Sequence, residues 1–301
     1  MPRLPHPEFA RQLVLQRLRR RAQGETTVRV LQGELERERF GMALLPAVYS
    51  RTVMAWALAE EGLFARGLEV GHQGLQIAER LNHPHSIVFA LHGIGTVHLR
   101  RGDFPEAIRI LERAQAICET ADLPAVFLEV ALPLGSAYAQ GNRASDAVAL
   151  FERAVSQAMA LKHHLGHWLR SGGMAEAYLA AGRAEEALPL ADLFLDITGM
   201  MKARGPLAWA RHLLGAVAAN VGPKVFDRSK RELRAALASA ESLGMRPLAA
   251  RCHLTLGDLY LRMGRRQQAS SEFSAAAEIC RVADMPYWLA RAEQGLKESV
   301  P

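Results

Sequence analysis

Small residues recur at a nearly constant interval inside the apolar stretches of this chain. Each stretch has the pattern of a helix that buries one face. The first series of small residues has spacings of 40, 40, 40, 40 and 42 residues and consists of Ala55, Gly95, Gly135, Ala175, Gly215 and Gly257. A regular interval of this length is typical of repeat proteins, in which each repeat is one supersecondary unit stacked on its neighbours.

A second series of small residues follows the first by about twelve positions. Its members are Gly67, Ala107, Ala147, Ala187, Ser229 and Ala269. Two helices approach closely where side chains are small, because the side chains at the contact set the distance between the helix axes. The two series therefore predict a repeating hairpin of two helices, here called helix A and helix B.

Turn signals lie between helix A and helix B in most repeats. Each signal is a single glycine or a Gly-Asn pair, at a position where a helix ends in a left-handed residue. The signals are Gly62, Gly102, Gly141-Asn142, Gly182 and Gly264. In the second repeat Asp103 is followed three residues later by Glu106, which predicts a capping box at the start of helix B.

The repeats predict a division of the chain. Residues 1–40 form a degenerate or truncated first hairpin, with helices expected at 7–22 and 26–38. Residues 286–301 form a capping helix and tail, because the end of a repeat stack otherwise exposes an apolar face. Six repeats lie between them, at about 41–82, 83–122, 123–162, 163–203, 204–245 and 246–285. The predicted fold is an all-α, right-handed superhelical solenoid of hairpins with a roughly 40-residue period.

The composition agrees with an all-helical fold and changes the view of charge. Half of the residues are apolar, and only 6% are aromatic. The net charge is +6, but the first 40 residues contain nine Arg and five Glu, which leaves the repeats nearly neutral. A basic face along the solenoid is therefore not expected, and nucleic acid is an improbable partner. Arginines in the 17–21 segment keep that alternative open.

The cysteines and the apolar runs indicate the environment of the protein. Cys118, Cys252 and Cys280 are far apart and lie in apolar helix patterns, which is typical of reduced core thiols in a cytoplasmic protein. The longest apolar run, around 125–135, is interrupted by Glu129 and is too short to cross a bilayer. We expect a cytoplasmic protein with no membrane partner.

The sixth repeat carries the tetratricopeptide signature at Leu256-Gly257, Tyr260, Gly264, Ala269, Phe273 and Ala276. More specifically, the chain resembles the C-terminal tetratricopeptide region of bacterial signalling proteins that join a class III adenylate or guanylate cyclase, a signal-transduction ATPase and a helical solenoid. The resembling segments lie between residues 25 and 298, at 37–41, 83–86, 99–103, 243–248 and 285–293. This resemblance implies a sensor region, with cyclase or ATPase modules as possible partners.

Catalytic and metal-binding patterns are weak in this sequence. It contains no GxxxxGK[ST] phosphate loop, so the nucleotide chemistry of the resembling proteins is assigned to no residue here. His163 and His167 have the spacing of a zinc-binding pair, but no nearby cysteine or carboxylate completes the site. We therefore expect no catalytic residue, no cofactor and no metal, and interpret the histidines as an exposed connector.

The concave face of the solenoid is the predicted binding site for a partner. If helices A line this face, the positions next to each small residue and one turn away point into the groove. The predicted groove residues are Thr52, Trp56, His92, Thr96, Arg100, Ser136, Gln140, Glu176, His212, Arg251, Asp258 and Arg262, with Glu60 and Trp209 at equivalent positions. The same residues could equally be ordinary exposed helix positions. Their mixed charge suits a peptide or protein segment better than a polyanion.

These observations favour a non-catalytic interaction or regulatory scaffold in bacterial signalling, which binds a peptide or protein in the groove. The first alternative is a detached sensor region of a cyclase or ATPase signalling protein. The second is a nucleic-acid-binding regulator. The groove has no Lys, so the Lys/Asn clamp by which chaperone-associated tetratricopeptide domains hold a C-terminal carboxylate is not expected.

The groove hypothesis predicts that Trp56→Ala or Arg100→Ala weakens partner binding by roughly 1–3 kcal/mol, because Trp and Arg often dominate interface energies. Thermal stability should change little. Titration of the partner against both variants tests this, and unchanged affinity in both would move the site to the convex face or toward Arg251, Asp258 and Arg262.

A second prediction concerns the N-terminus. Residues 1–24 lack the small residues that lock a hairpin to its neighbour, so their removal should leave folding intact. A chain that starts at Glu25 should give a cooperative thermal melt comparable to that of the full chain. A broad or much lower melt would show that residues 1–24 belong to the folded unit.

Overall fold

A computed structural model describes residues 27–163, 165–201 and 203–300. Within these ranges the chain is helical, without β-strands, and the predicted all-α solenoid of hairpins is confirmed. The helices are α1 (Pro46–Glu60), α2 (Phe64–Arg80), α3 (Pro84–Arg101), α4 (Phe104–Thr120), α5 (Pro124–Gln140), α6 (Ala144–Ala160), α7 (Leu165–Trp168), α8 (Met174–Ala180), α9 (Ala184–Met200), α10 (Arg204–Val221), α11 (Phe226–Leu243), α12 (Arg246–Arg262), α13 (Arg266–Val282) and α14 (Pro286–Ser299).

Successive helices pack as antiparallel hairpins, and each hairpin packs on the next. The glycines of the first small-residue series lie where helix A meets a large side chain of helix B. A Cβ atom added to Gly95 would lie 2.5 Å from Leu111 Cγ, and one added to Gly257 would lie 2.5 Å from Phe273 Cε1. Glycine is required at these contacts because the facing side chain occupies the space of a methyl group.

Left-handed residues end the helices, as the turn signals indicate, with one shift. Gly102 has φ 92° after α3. In the third hairpin Gly141 has φ −91°, and Asn142 takes the left-handed position with φ 61°. Asn visits this region more readily than most residues because its short polar side chain bonds locally.

The predicted capping box at the start of α4 is wrong. Asp103 makes no cap hydrogen bond with its side chain. Its Oδ2 atom lies 3.1 Å from His98 Nδ1, and Glu106 instead pairs with Arg109. The two carboxylates interact with His98 and Arg109. They therefore do not accept hydrogen bonds from the first backbone N–H groups of α4.

The predicted helix over 26–38 is also wrong in its second half. Residues 27–30 are helical, but Gly33 has φ 63° and a short 3₁₀ turn follows at Gly33–Glu36. This segment packs on the first repeat: Glu36 pairs with Arg80, and Arg51 Nη1 donates to Leu31 O at 3.5 Å. The helix predicted at 7–22 lies outside the described residues.

Helix A of the fourth hairpin is interrupted, which the sequence did not predict. Between α7 and α8, Leu169–Gly173 form a π-helical turn. A Cβ atom added to Gly172 or Gly173 would lie 3.0 Å from the ring of Phe194 or 2.6 Å from that of Phe151. The adjacent glycines allow two phenylalanines of neighbouring helices to pack against this backbone, and such turns occur often at functional sites.

The last helix, α14, contacts the second hairpin as well as the sixth. Arg101 donates from Nη2 to Asp284 Oδ2 at 2.6 Å and from Nε to Asp284 O at 3.1 Å. The Phe104 ring lies 4.8 Å from that of Tyr287 and 5.8 Å from that of Trp288. We call this contact the seam. The superhelix therefore curves until its C-terminal part meets its N-terminal part.

The cysteines agree with the prediction of core thiols. Cys118, Cys252 and Cys280 are buried and free, and burial raises the pKa of Cys118 and of Cys280 to about 12. In the part of the chain that the structure describes, no helix combines the length and hydrophobicity that a membrane span requires.

The close helix contacts predict the effect of adding a methyl group. Gly135→Ala should lower the free energy of unfolding by about 1–3 kcal/mol, because the new Cβ would overlap the fully buried Phe151 ring. Gly199→Ala is the control, because that exposed helical glycine has no neighbour within 4 Å and alanine should add about 0.5–1 kcal/mol there. Urea unfolding measures both, and equal changes would contradict close packing at Gly135.

Candidate ligand-binding cavity

A cavity of about 580 Å³ lies inside the curve of the superhelix. The first helices of successive hairpins and the π-helical turn form its walls. Three tryptophans and one phenylalanine give it a large aromatic surface: Trp56, Trp168, Trp209 and Phe194. Its volume falls in the range of about 300–1,000 Å³ that is usual for small-ligand sites.

Most of the predicted groove residues line this one cavity. They are Trp56, His92, Thr96, Arg100, Ser136, Gln140, Glu176, His212 and Arg251, together with Glu60 and Trp209 at the equivalent positions. They come from all six hairpins. The curvature brings them together although they are up to 195 residues apart in sequence, from Trp56 to Arg251. Their role in binding stays a prediction.

Three predicted groove residues do not line the cavity. Thr52 is only 1% exposed, because α1 and α3 pack closely there, and its hydroxyl donates to Phe89 O at 3.3 Å. Asp258 pairs with Arg291 at 3.2 Å, toward the last helix. Arg262 donates to Ala219 O at 2.8 Å. The last two lie beyond the cavity because the hairpins turn the C-terminal half of α12 toward its neighbours.

The sequence did not reveal the aromatic wall made by Trp168 and Phe194. Their rings lie 5.3 Å apart in a T-shaped arrangement. Trp168 belongs to a stretch that was interpreted as an exposed connector, and Phe194 lies on a helix B. The adjacent Gly172 and Gly173 were the available signal, because two glycines in a helix indicate a close approach by another group.

Trp56 and His92 form another part of the cavity wall. The Trp56 ring lies 4.8 Å from that of His92 and 5.5 Å from that of Phe89. Burial lowers the pKa of His92 to about 4. Burial, with a smaller effect of the nearby Arg251 charge, lowers the pKa of His212 to about 3. Both rings are therefore neutral at pH 7 and add polar atoms to the cavity without adding charge.

Glu60 joins three hairpins at the edge of the cavity. Its Oε1 accepts from Arg100 Nε at 2.7 Å, and its Oε2 accepts from Trp209 Nε1 at 2.9 Å. The Arg100 guanidinium also lies 4.2 Å from the centroid of the Trp209 ring. Arg100 thus holds the fold together, so Arg100→Ala should lower stability and does not test binding alone.

Glu176 lies on α8 and is bound by neutral groups. It accepts from Ser136 Oγ at 2.5 Å and from Gln140 Nε2 at 2.7 Å. It makes no ion pair with any residue that the structure describes. Its carboxylate is therefore oriented by hydrogen bonds, and its charge interacts with that of Arg251 without a direct ion pair.

Arg251 lies between two indole rings. Its guanidinium is 5.2 Å from the Trp209 centroid and 5.0 Å from the Trp288 centroid. Burial lowers its pKa to about 10, Glu176 raises this pKa and Arg100 lowers it. Arg251 remains charged at pH 7, and within the described residues its side chain makes neither an ion pair nor a hydrogen bond.

Several polar atoms in the cavity wall lack partners. Trp56 Nε1, His92 Nδ1 and Gln140 Oε1 are buried without a hydrogen bond to any described residue. An unmade hydrogen bond at a buried atom is costly. A ligand that supplies donors and acceptors after small side-chain movements would recover part of this free energy.

The histidines of the connector do not form a metal site in the described residues. His163 Nδ1 accepts from Leu165 N at 3.3 Å, and no group of three or more metal-ligating side chains occurs between residues 27 and 300 apart from the undescribed positions 164 and 202. His164 and the arginines of segment 17–21 lie outside the described residues.

Comparison with known proteins identifies tetratricopeptide repeats in two stretches. Family models described as tetratricopeptide repeat match residues 90–125 and 250–282. No curated protein matches the chain. The predicted tetratricopeptide signature is thus confirmed for the sixth repeat, and the second repeat shares it.

Solved structures show the same fold at low sequence identity. NprR in complex with its cognate peptide NprX has a TM-score of 0.67 and 13% identity, with 95% of this chain and 81% of that chain covered. The Rap conjugation gene regulator of plasmid pLS20 in complex with the Phr* peptide has a TM-score of 0.57 and 12% identity, with 84% and 73% covered.

A third similar structure belongs to a larger protein. It is a signal transduction ATPase with numerous domains that has a tetratricopeptide repeat sensor, from Pyrococcus horikoshii. The TM-score is 0.52 and the identity 14%, with 93% of this chain but 43% of that chain covered. At these identities the three structures establish the fold of the chain.

The neutral histidines predict a pH dependence of stability. Below pH 6.5 the unfolded chain takes up a proton at His92, whereas the folded chain does so only near pH 4, so stability falls as the pH decreases. Between pH 7 and pH 5 the wild type should lose about 1–2 kcal/mol more than His92→Gln. Urea unfolding at both pH values measures this loss.

A His92→Gln, His212→Gln double variant serves as the comparison. It should lose still less stability on acidification, because the second buried ring also resists protonation. Equal losses in the wild type and both variants would contradict the burial of neutral imidazoles in this wall.

Proposed function

We propose that the chain is a non-catalytic binding protein that holds a short peptide, or a peptide segment of a protein partner, in its inner cavity. The observation that carries this proposal is the combination of aromatic walls with side chains of both charges around a volume of about 580 Å³. Aromatic surfaces supply contact area at low entropic cost, and a few polar groups fix orientation.

The buried polar atoms support a peptide ligand. Trp56 Nε1 is a donor and Gln140 Oε1 is an acceptor, and both lack partners in the described part of the chain. A peptide backbone offers a carbonyl acceptor and an N–H donor at every residue except proline. A purely apolar ligand would leave these atoms unsatisfied.

The similar structures favour the same function. NprR and the Rap regulator of pLS20 were each solved with a bound peptide, and both have this fold. Their low identity transfers no individual residue, so the proposed site rests on the cavity of this chain. We further propose that the complex of this protein with its peptide acts in bacterial signalling.

A sensor region of a larger signalling protein is the second candidate. The similarity to the tetratricopeptide sensor of the signal transduction ATPase favours it, as do the segments that resemble cyclase-associated solenoids. Sequencing the DNA upstream of Met1 tests this candidate. An intact cyclase–ATPase reading frame that ends just before Met1 would support it, and unrelated upstream genes would contradict it.

A polyanion does not fit the cavity. Arg100 and Arg251 face Glu60 and Glu176, so two positive charges accompany two negative ones. Binding of nucleic acid depends on an excess of cations that displaces counterions from phosphates. Retention on random-sequence DNA that weakens with salt and disappears on removal of residues 1–24 would favour the nucleic-acid alternative.

The proposed function predicts selective retention of short peptides. A pool of random-sequence pentapeptides is passed over the immobilised full chain, and retained peptides are identified by mass spectrometry. Trp56→Ala should weaken their binding by roughly 1–3 kcal/mol, because the indole supplies a wall of the cavity. Tyr178→Ala is the matched control, because Tyr178 stacks under Arg183 away from the cavity.

Two outcomes would contradict the proposed function. One is retention of no peptide by the wild-type chain. The other is equal loss of affinity in Trp56→Ala and Tyr178→Ala, which would place the binding surface elsewhere. Melting temperatures of both variants, measured in parallel, identify losses that come from unfolding.

A further inference from the structure

The four charged side chains of the cavity are unevenly paired. Arg100 and Glu60 form an ion pair, and Trp209 donates to the second oxygen of Glu60. Arg251 and Glu176 have no ion pair with any residue that the structure describes. The cavity therefore has one neutralised pair and two separate charges of opposite sign.

Arg251 is placed to bind an anion. It is half-buried, and its contacts are the faces of Trp209 and Trp288. Cation–π contacts offset part of the cost of removing a charge from water. No described residue accepts from the five N–H donors of Arg251, which match the two oxygens of a carboxylate. The Trp209 ring orients the group, because Glu60 fixes the indole N–H.

Glu60 does not serve as the anion for Arg251. Both guanidiniums lie near the same Trp209 ring, but of the two only Arg100 pairs with the Glu60 carboxylate. Arg251 thus experiences repulsion from Arg100, which lowers its pKa further. A carboxylate from a ligand would relieve this repulsion, so the free protein favours binding of an anion here.

Glu176 provides the opposite charge. Its two oxygens accept from Ser136 and Gln140, which fix the carboxylate but bring no positive charge. Carboxylate oxygens can each accept a further hydrogen bond. An ammonium or guanidinium group of a ligand would meet an oriented acceptor at this point.

The two charges lie on different walls of the cavity. Glu176 is on α8 in the fourth hairpin, and Arg251 is on α12 in the sixth. They influence one another electrostatically, since Glu176 raises the pKa of Arg251, but they do not form an ion pair. Both residues line the cavity.

We propose that the ligand is a short peptide that carries both charges, with a carboxylate bound by Arg251 and a cationic group bound by Glu176. This inference rests on the proposed function that the cavity holds a peptide. The carboxylate comes from the C-terminus or from Asp or Glu, and the cation from the N-terminus or from Lys or Arg. The arrangement differs from a Lys/Asn carboxylate clamp, because it binds both the negative and the positive group of the ligand.

The test uses four pools of random-sequence pentapeptides on the full chain. The first has free termini, the second is C-terminally amidated, the third is N-acetylated and the fourth is blocked at both ends. We expect retention of peptides from the first pool. From the blocked pools we expect only peptides that contain Asp or Glu, or Lys or Arg, in place of the lost terminal charge.

Variants of the two charged residues complete the test. Arg251→Met should lower the affinity for the retained peptides by about tenfold or more, because a desolvated carboxylate loses its partner. Arg251→Lys should restore part of this affinity. Glu176→Gln should weaken binding of the retained peptides, because their cationic group loses the negative charge that it meets. Arg183→Met is the matched control, because it removes a guanidinium that stacks on Tyr178 outside the cavity.

The outcomes separate this inference from the proposed function. Retention of peptides without any carboxylate, or equal affinity in wild type and in a folded Arg251→Met variant, overturns the inference and leaves peptide binding intact. Retention of no peptide from any pool overturns both. The pool comparison uses the wild-type chain, so it decides the question even if Arg251→Met fails to fold.

Discussion

The distance between the two helices of each hairpin is the constraint on which the rest of this structure depends. In four of the hairpins it is set where a glycine of helix A meets a leucine or phenylalanine of helix B, as at Gly95 with Leu111 and Gly257 with Phe273. Because the same contact recurs every 40 residues or so, each hairpin is rotated similarly relative to the last. A repeated rotation gives the chain a constant curvature.

That curvature brings distant parts of the chain into contact. The seam joins Arg101 to Asp284 and Phe104 to Tyr287 and Trp288. Trp288 also lies against Arg251, so the seam and the cavity share a side chain. A change of the hairpin distance in any repeat would alter the curvature and displace the two walls that hold the charged residues.

Closure of the curve also decides the electrostatics of the interior. Glu60, Arg100 and Trp209 belong to three hairpins, yet they form one connected group inside the cavity. Partial removal from water strengthens each of these interactions and makes an unpaired charge costly. Arg251 and Glu176 both line the cavity without a mutual ion pair, which is the feature that most restricts the chemistry of a ligand.

The sequence alone determined the helical hairpins, the positions of most helix ends and the face that lines the interior. These features depend on local spacing: a small residue such as Gly135 or Ala175 is recognisable from its interval, and a helix places equivalent positions on one face. Nine of the twelve predicted groove residues lie around the cavity for this reason. Local spacing also misled, because Asp103 had a hydrogen-bond partner in His98 that no capping pattern indicates.

Only the tertiary structure decided which of these residues meet and which charges remain unpaired. Trp168 and Phe194 reach the cavity through a π-helical turn whose geometry depends on packing against Gly172 and Gly173. The pairing of Arg100 with Glu60 depends on the summed rotation of several hairpins, and so does the absence of such a partner for Arg251 among residues 27–300 as far as the structure describes them. Each rotation results from many side-chain contacts, and no interval in the sequence records their sum.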